Sequence, residues 1–232
     1  PCAFMEAYHP KTVFSSIDLQ GRYAYGNQPN IARWNLARFA ETLLPLIDTD
    51  GDAAIAQANA VLADFPGRYS QHWLAAMRPK LGLSSDTGVS DSADTELIHW
   101  FLAAMQSERV DFTKGFRQLS TVVRGNVEPL RSLFNGSADF ADWLEHWNTR
   151  IAQEKGTADE RAARMDVVNP VIIPRNHQVE AMIEAAVRNG DFAPFHALLA
   201  AVTHPFEDRP EWQKYGEPAP ASFGPFTTFC GT

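Results

Sequence analysis

The sequence predicts an all-α protein, and three observations carry that prediction. Apolar residues recur at three- and four-residue spacing in stretch after stretch, the spacing that lines up one face of an α-helix. Strand-like alternation is nearly absent, and the one β-branched apolar run, VVNPVIIP (167–174), is broken by Pro170. Proline and glycine are denser in the two end segments than in the periodic region between them. At 232 residues, 45% of them hydrophobic and 21% charged, the chain can bury a sizeable core.

The elements follow in order. Residues 1–30 lack helical periodicity and carry Pro10, Gly21, Gly26 and Pro29, so they are predicted as an ordered loop segment. In NIARWNLARFAETLLPLI the positions Leu36, Phe39, Ala40, Leu43, Leu44 and Ile47 form a helical stripe, with Asn27 or Asn30 as N-cap and Pro45 near the end. The preceding aromatic loop is expected to dock on this helix, with Trp34 buried at the contact. Further stripes are Ile55/Leu62, Tyr69/Trp73/Met77/Leu81, Leu97/Ile98/Phe101/Leu102/Met105 and Phe112/Phe116/Leu119. They continue with Phe140/Trp143/Leu144/Trp147/Ile151, Val179/Met182/Ile183/Val187 and Phe192/Phe195/Leu199/Val202. SSDTGVSDSAD (84–94) is predicted as a polar, flexible connection. The helical domain thus spans 31–203, and 204–232 is predicted as an irregular Pro/Gly-rich tail.

Charge and composition exclude some functions. A net charge of −8 with no dominant basic run disfavours nucleic acid as a partner. No apolar stretch approaches the ~20 residues of a membrane span, and PCAFMEAY lacks the basic start and apolar run of a signal peptide. Two cysteines, Cys2 and Cys230, are too few for a disulfide scaffold. A cytoplasmic, bacterial-type location is expected.

Candidate sites are weak when read from residues alone. In DTDGD (48–52), Gly51 falls at position four and Asn59 at position twelve, so a calcium loop fails and a turn with Asp52 capping the next helix is expected. His177, Glu180 and Glu184 share a helical face. They have no HExxH pair beside them, which favours a solvated face capped by Asn176 over a metal site. His99 borders an apolar stripe and is expected as a hydrogen-bonded core-edge histidine. Asn135-Gly136-Ser137 reads as a turn. Neither GxGxxG, a P-loop nor GxSxG is present. No catalytic group and no cofactor- or metal-binding residue is predicted within the chain. The run from Gln20, Gly21, Arg22 and Tyr23 to Pro29 is denser in polar and aromatic groups than a linker needs. It suits either a packed loop or a segment beside an active site.

PCAFMEAYHP, FSSIDLQGRYAYGNQPNIARWNLARFAETLLPL, DFTKGFRQLS, NPVIIPRNHQVE and the ending YGEPAPA…FCGT together resemble the selenoprotein O family, in that order and from residue 1 to residue 232. The resemblance implies a protein-kinase-like (pseudokinase) fold. It also implies a protein adenylyltransferase that moves AMP from ATP to Ser, Thr or Tyr hydroxyls of proteins with Mg or Mn. In the family PCAFM follows an Asp-Tyr-Gly that holds the metal, so the nucleotide- and metal-binding groups are expected before Pro1. The chain, which starts without Met, is then expected to be the C-terminal portion: an activation-type segment over 1–30 with Gln20, Gly21, Arg22 and Tyr23 as candidates, a helical C-lobe, and the tail. Expected partners are protein substrates and the missing N-terminal half, and this portion alone is expected to be inactive and to bind no cofactor. Cys230 matches the family's redox residue. Its usual partner position holds Phe14 here, which leaves Cys2 as a substitute. The alternative is a non-catalytic helical interaction module.

Overall fold

A computed structural model of the chain describes residues 4–224, 226 and 228. After a short 3-10 turn (Tyr25–Asn27), helix α1 (Gln28–Ile47) starts with Pro29 in its first turn, where a missing N–H costs nothing. It packs on α2 (Gly51–Ala63) through the three-residue link Asp48–Asp50. The cap of α2 is Asp50, whose carboxylate accepts from the amides of Asp52 (2.9 Å) and Ala53 (3.4 Å). The sequence expectation had assigned that role to Asp52. Asp50 sits one residue outside the first turn, where a side chain can fold back on free N–H groups.

The main core lies among α3 (Phe65–Lys80), α4 (Asp91–Ser107), α5 (Phe112–Val123), α6 (Glu128–Leu133), α7 (Ala138–Ile151) and α8 (Ala158–Asp166). Phe101, Trp143 and Trp147 are fully buried, and the Trp143 ring stacks on Phe101 at 4.3 Å. Their indole N–H groups donate to the carbonyls of Leu97 (2.9 Å) and Leu81 (3.0 Å), so these large rings leave no donor unmet. α9 (Asn176–Asn189), α10 (Ala193–Val202) and α11 (Gln213–Gly216) gather round a smaller cluster of Ile172, Leu198, Ala201 and Tyr215. VVNPVIIP is no strand: the amides of Val171 and Ile172 both donate to the Pro205 carbonyl, at 2.7 and 3.1 Å.

The all-helical content agrees with the periodicity, but the finer fold expectation is overturned. Among the described residues there is helix and turn, with a single β-bridge between Ala7 and Asp111, and nothing that defines a kinase-like C-lobe. The N-terminal segment is not an extended activation-type stretch. It runs as bends and turns because polar side chains such as Asp18 satisfy its amides locally. Nor is the tail merely irregular, since 204–224 holds α11 and two 3-10 turns and buries Tyr215.

Three local expectations also change. Residues 84–90 are irregular, but Asp91–Asp94 belong to α4 and Asp94 is wholly buried. Its carboxylate accepts from Arg78 Nε (2.6 Å) and Arg150 Nε (2.7 Å), while Arg150 Nη1 donates to Glu154 (2.7 Å), tying α3, α4 and α7 together. Trp34 is 48% exposed rather than buried: the loop reaches its ring through the guanidinium of Arg22, 4.4 Å from the centroid, and leaves the rest of the side chain uncovered. His99 is exposed and stacks on Trp73 at 4.8 Å.

Candidate functional site

The two ends of the described chain meet at the start of α9. The N-terminal segment is fixed to the turn before α5 by Tyr8 N–H to Val110 O (2.9 Å) and Phe112 N–H to Glu6 O (2.7 Å). Asp111 caps α5 by accepting from the Lys114 amide at 2.8 Å. Its carboxylate also accepts from Arg175, at 2.8 Å from Nη1 and 3.3 Å from Nη2.

Arg175 is the hub. Its side chain is fully buried at the N-cap of α9, a position for which Asn176 had been the expectation. Besides Asp111, it donates to Glu6 Oε1 (3.2 Å) and to the Gly216 carbonyl (3.0 Å). Glu6 in turn accepts from the Ala219 amide at 3.3 Å. One guanidinium therefore joins the N-terminal segment, α5, α9 and the tail. Burial opposes its charge, but the hydrogen bonds and charges of Asp111 and Glu6 overcome burial and raise its pKa, so it stays protonated.

Beside this hub lies a cleft of about 500 Å³ lined by Glu6, Phe14, Ser15, Asn176, Phe223 and Thr228, among others. The Ser15 hydroxyl is buried without a hydrogen-bond partner among the described residues, as is Nδ1 of His177 behind the cleft. Burial pushes the His177 pKa down, with Glu6 opposing and Arg175 reinforcing the effect, so the ring is held neutral. His177 packs edge-on against Phe223 and lies 4.0 Å from Glu6, so it is not the simple solvated side chain that its helical face suggests.

Asp18, which lines the cleft, anchors the predicted activation-segment residues. Asp18 accepts from the amides of Arg22 (2.7 Å) and Tyr23 (2.8 Å), closing a turn through Gln20 and Gly21. Gly21 has φ +68°, a left-handed conformation natural for glycine. The Arg22 guanidinium stands 4.4 Å over the Trp34 ring, and Arg38 reaches the same ring at 5.5 Å. Gln20 to Tyr23 thus form one ordered, exposed turn. Cys2 and Cys230 lie outside the described residues.

Sequence reasoning missed Glu6, Ser15, Asp111 and Arg175. The only visible signal was Asp111 just before the periodic run of α5, which is cap-like. A buried charge network assembled across more than 160 positions leaves no local pattern.

The donor set suits the capture of a small polar group by the Ser15 hydroxyl and the Asn176 amide. Glu6 is committed to Arg175 and the Ala219 amide, and is no free base. Among the described residues no cluster of three or more His, Cys, Asp or Glu could hold a metal ion, and no helix is long and apolar enough to cross a membrane.

An all-helical unit whose two described ends converge on one cleft is the setting for the comparison with known proteins. A family model for the protein adenylyltransferase SelO matches residues 1–203, and the chain belongs to that family. Over its whole length it is 50% identical to a protein nucleotidyltransferase YdiU of Agrobacterium fabrum, covering 47% of that protein. It is 53% identical to one of Mycobacterium sp. strain KMS and 48% identical to one of Geobacillus kaustophilus, covering 46% of each. The chain thus spans about half the length of the curated relatives it matches. The nucleotide and divalent metal suggested by this family do not fit the cleft, because its described lining carries no cation and the neighbouring Arg175 is already enclosed by two carboxylates.

Proposed function

We propose that the chain supplies the helical part of a protein adenylyltransferase, which moves AMP from ATP to Ser, Thr or Tyr hydroxyls of target proteins. ATP and its Mg or Mn would be held by groups outside these 232 residues, in the remaining half that the relatives possess. The match of residues 1–203 to the family carries this reading. The turn from Gln20 to Tyr23 would be the part that faces protein substrates, in the bacterial cytoplasm.

Redox control is part of the proposal. Thr228 is bonded to Phe14 and Ser16, so the tail runs back along the N-terminal segment two positions before Cys230. A reversible bond between Cys230 and Cys2 would lock that arrangement. A test is to replace the matching half of the Agrobacterium fabrum relative with this chain. Transfer of labelled AMP by the chimera is the expected result, and its loss in a folded chimera would refute the assignment.

A second reading, a non-catalytic interaction module, is favoured by one observation. Phe39 and Val61, on α1 and α2, are 60% and 74% exposed on an apolar face.

A further inference from the structure

Lys80, the last residue of α3, is a half-buried cation with no carboxylate partner among the described residues. Its Nζ donates to the Val168 carbonyl (2.9 Å) and to Asn169 Oδ1 (3.3 Å), both neutral acceptors. The ammonium also stands 5.7 Å from the centroid of the Phe116 ring, and of its three protons two are given to these carbonyl-type acceptors. No carboxylate of the described residues pairs with it, and burial alone pushes its pKa below the usual lysine range.

Lys80 also lines a cavity of about 300 Å³ that adjoins the cleft beside Arg175 through Phe14 and whose other walls include Tyr25, Phe112, Phe116 and Ile173. Mostly apolar and aromatic walls and one ammonium that meets no carboxylate among the described residues are the recognition chemistry for a small amphipathic anion. The walls take an apolar body, and the cation gains the partner that the protein withholds.

We propose that this cavity binds a small aliphatic or aromatic monocarboxylate, its carboxylate paired with Lys80 and its apolar part against Phe112 and Phe116. The competing view is that Lys80 only clamps the loop at Val168 and Asn169, with nothing bound.

Decanoate and its neutral counterpart decanol serve as probes in calorimetric titrations of the 232-residue chain and of Lys80→Met. The native chain is expected to bind decanoate saturably at one site, at least about tenfold tighter than decanol, the scale of a charge-assisted hydrogen bond. Lys80→Met is expected to lose that preference. Saturating decanoate is also expected to protect Lys80 from acylation by acetic anhydride, followed by peptide mass spectrometry. Absence of saturable binding, equal affinity for acid and alcohol, or unchanged acylation of Lys80 would overturn the proposal. Should Lys80→Met fail to fold, protection of Lys80 in the native chain decides alone.

Discussion

The Thr228 hydroxyl donates to the Phe14 carbonyl at 2.5 Å, and the Ser16 amide donates back to the Thr228 carbonyl at 2.9 Å. Two segments more than two hundred positions apart are thereby paired along the cleft. Removal of residues 224–232 is expected to free the Ser16 amide. Hydrogen exchange should then be faster at that amide than in the intact chain, with exchange in α4 and α7 unchanged. Equal protection of Ser16 in both forms would show that the tail does not hold the segment.

The Arg175 hub makes a stability prediction. Arg175→Ala leaves Asp111 buried and uncompensated, and breaking a buried pair from one side costs about 3–5 kcal/mol. Joint replacement by Arg175→Met and Asp111→Leu is expected to recover part of that loss. Denaturant midpoints of the two variants check it, and a single variant no less stable than the double one would contradict it.

The network around Asp94 predicts a pH dependence. Burial pushes the Glu154 pKa up, but hydrogen bonds from Ser84 and the charge of Arg150 outweigh it and hold the carboxyl below its ordinary value of 4.5. A carboxyl depressed on folding stabilises the protein above its unfolded pKa. That contribution is lost as pH falls from 4.5 through the folded value. Glu154→Gln should therefore flatten the stability profile below pH 4.5, measured by thermal unfolding across pH 3 to 6. An unaltered profile would count against the network.

Gly82 predicts a backbone effect. It has φ +72°, and a Cβ there would lie 2.7 Å from Met165 Sδ in the core. Gly82→Ala is expected to destabilise by more than about 1 kcal/mol, from the left-handed backbone and the contact together. Trp34→Ala, at a half-exposed site, is expected to cost less than about 1 kcal/mol. Paired urea titrations would show whether this order holds.

How much of this was legible in the sequence varied with the kind of signal. The stripes through Phe101 and Trp147 were readable because helical periodicity marks a face that must be buried. The stripe of α1 was readable too. Periodicity says which residues share a face and not what covers it, and Phe39 remains exposed. Helix α8 escaped notice because its buried face is made of Arg161, Ala162 and Met165, although the capping box from Thr157 to Glu160 was visible as T-x-x-E. Asp94 looked like part of a polar linker because its partners stand 16 and 56 positions away. The same distance problem hid the hub: Arg175 meets Glu6 across 169 positions.

The most direct measurement is incubation of the purified 232-residue chain with labelled ATP, Mg or Mn, and a generic protein substrate, followed by intact-mass analysis. If the nucleotide and metal groups stand outside this chain, neither the chain nor the substrate gains the mass of AMP. Robust incorporation of AMP by the chain alone would contradict that placement.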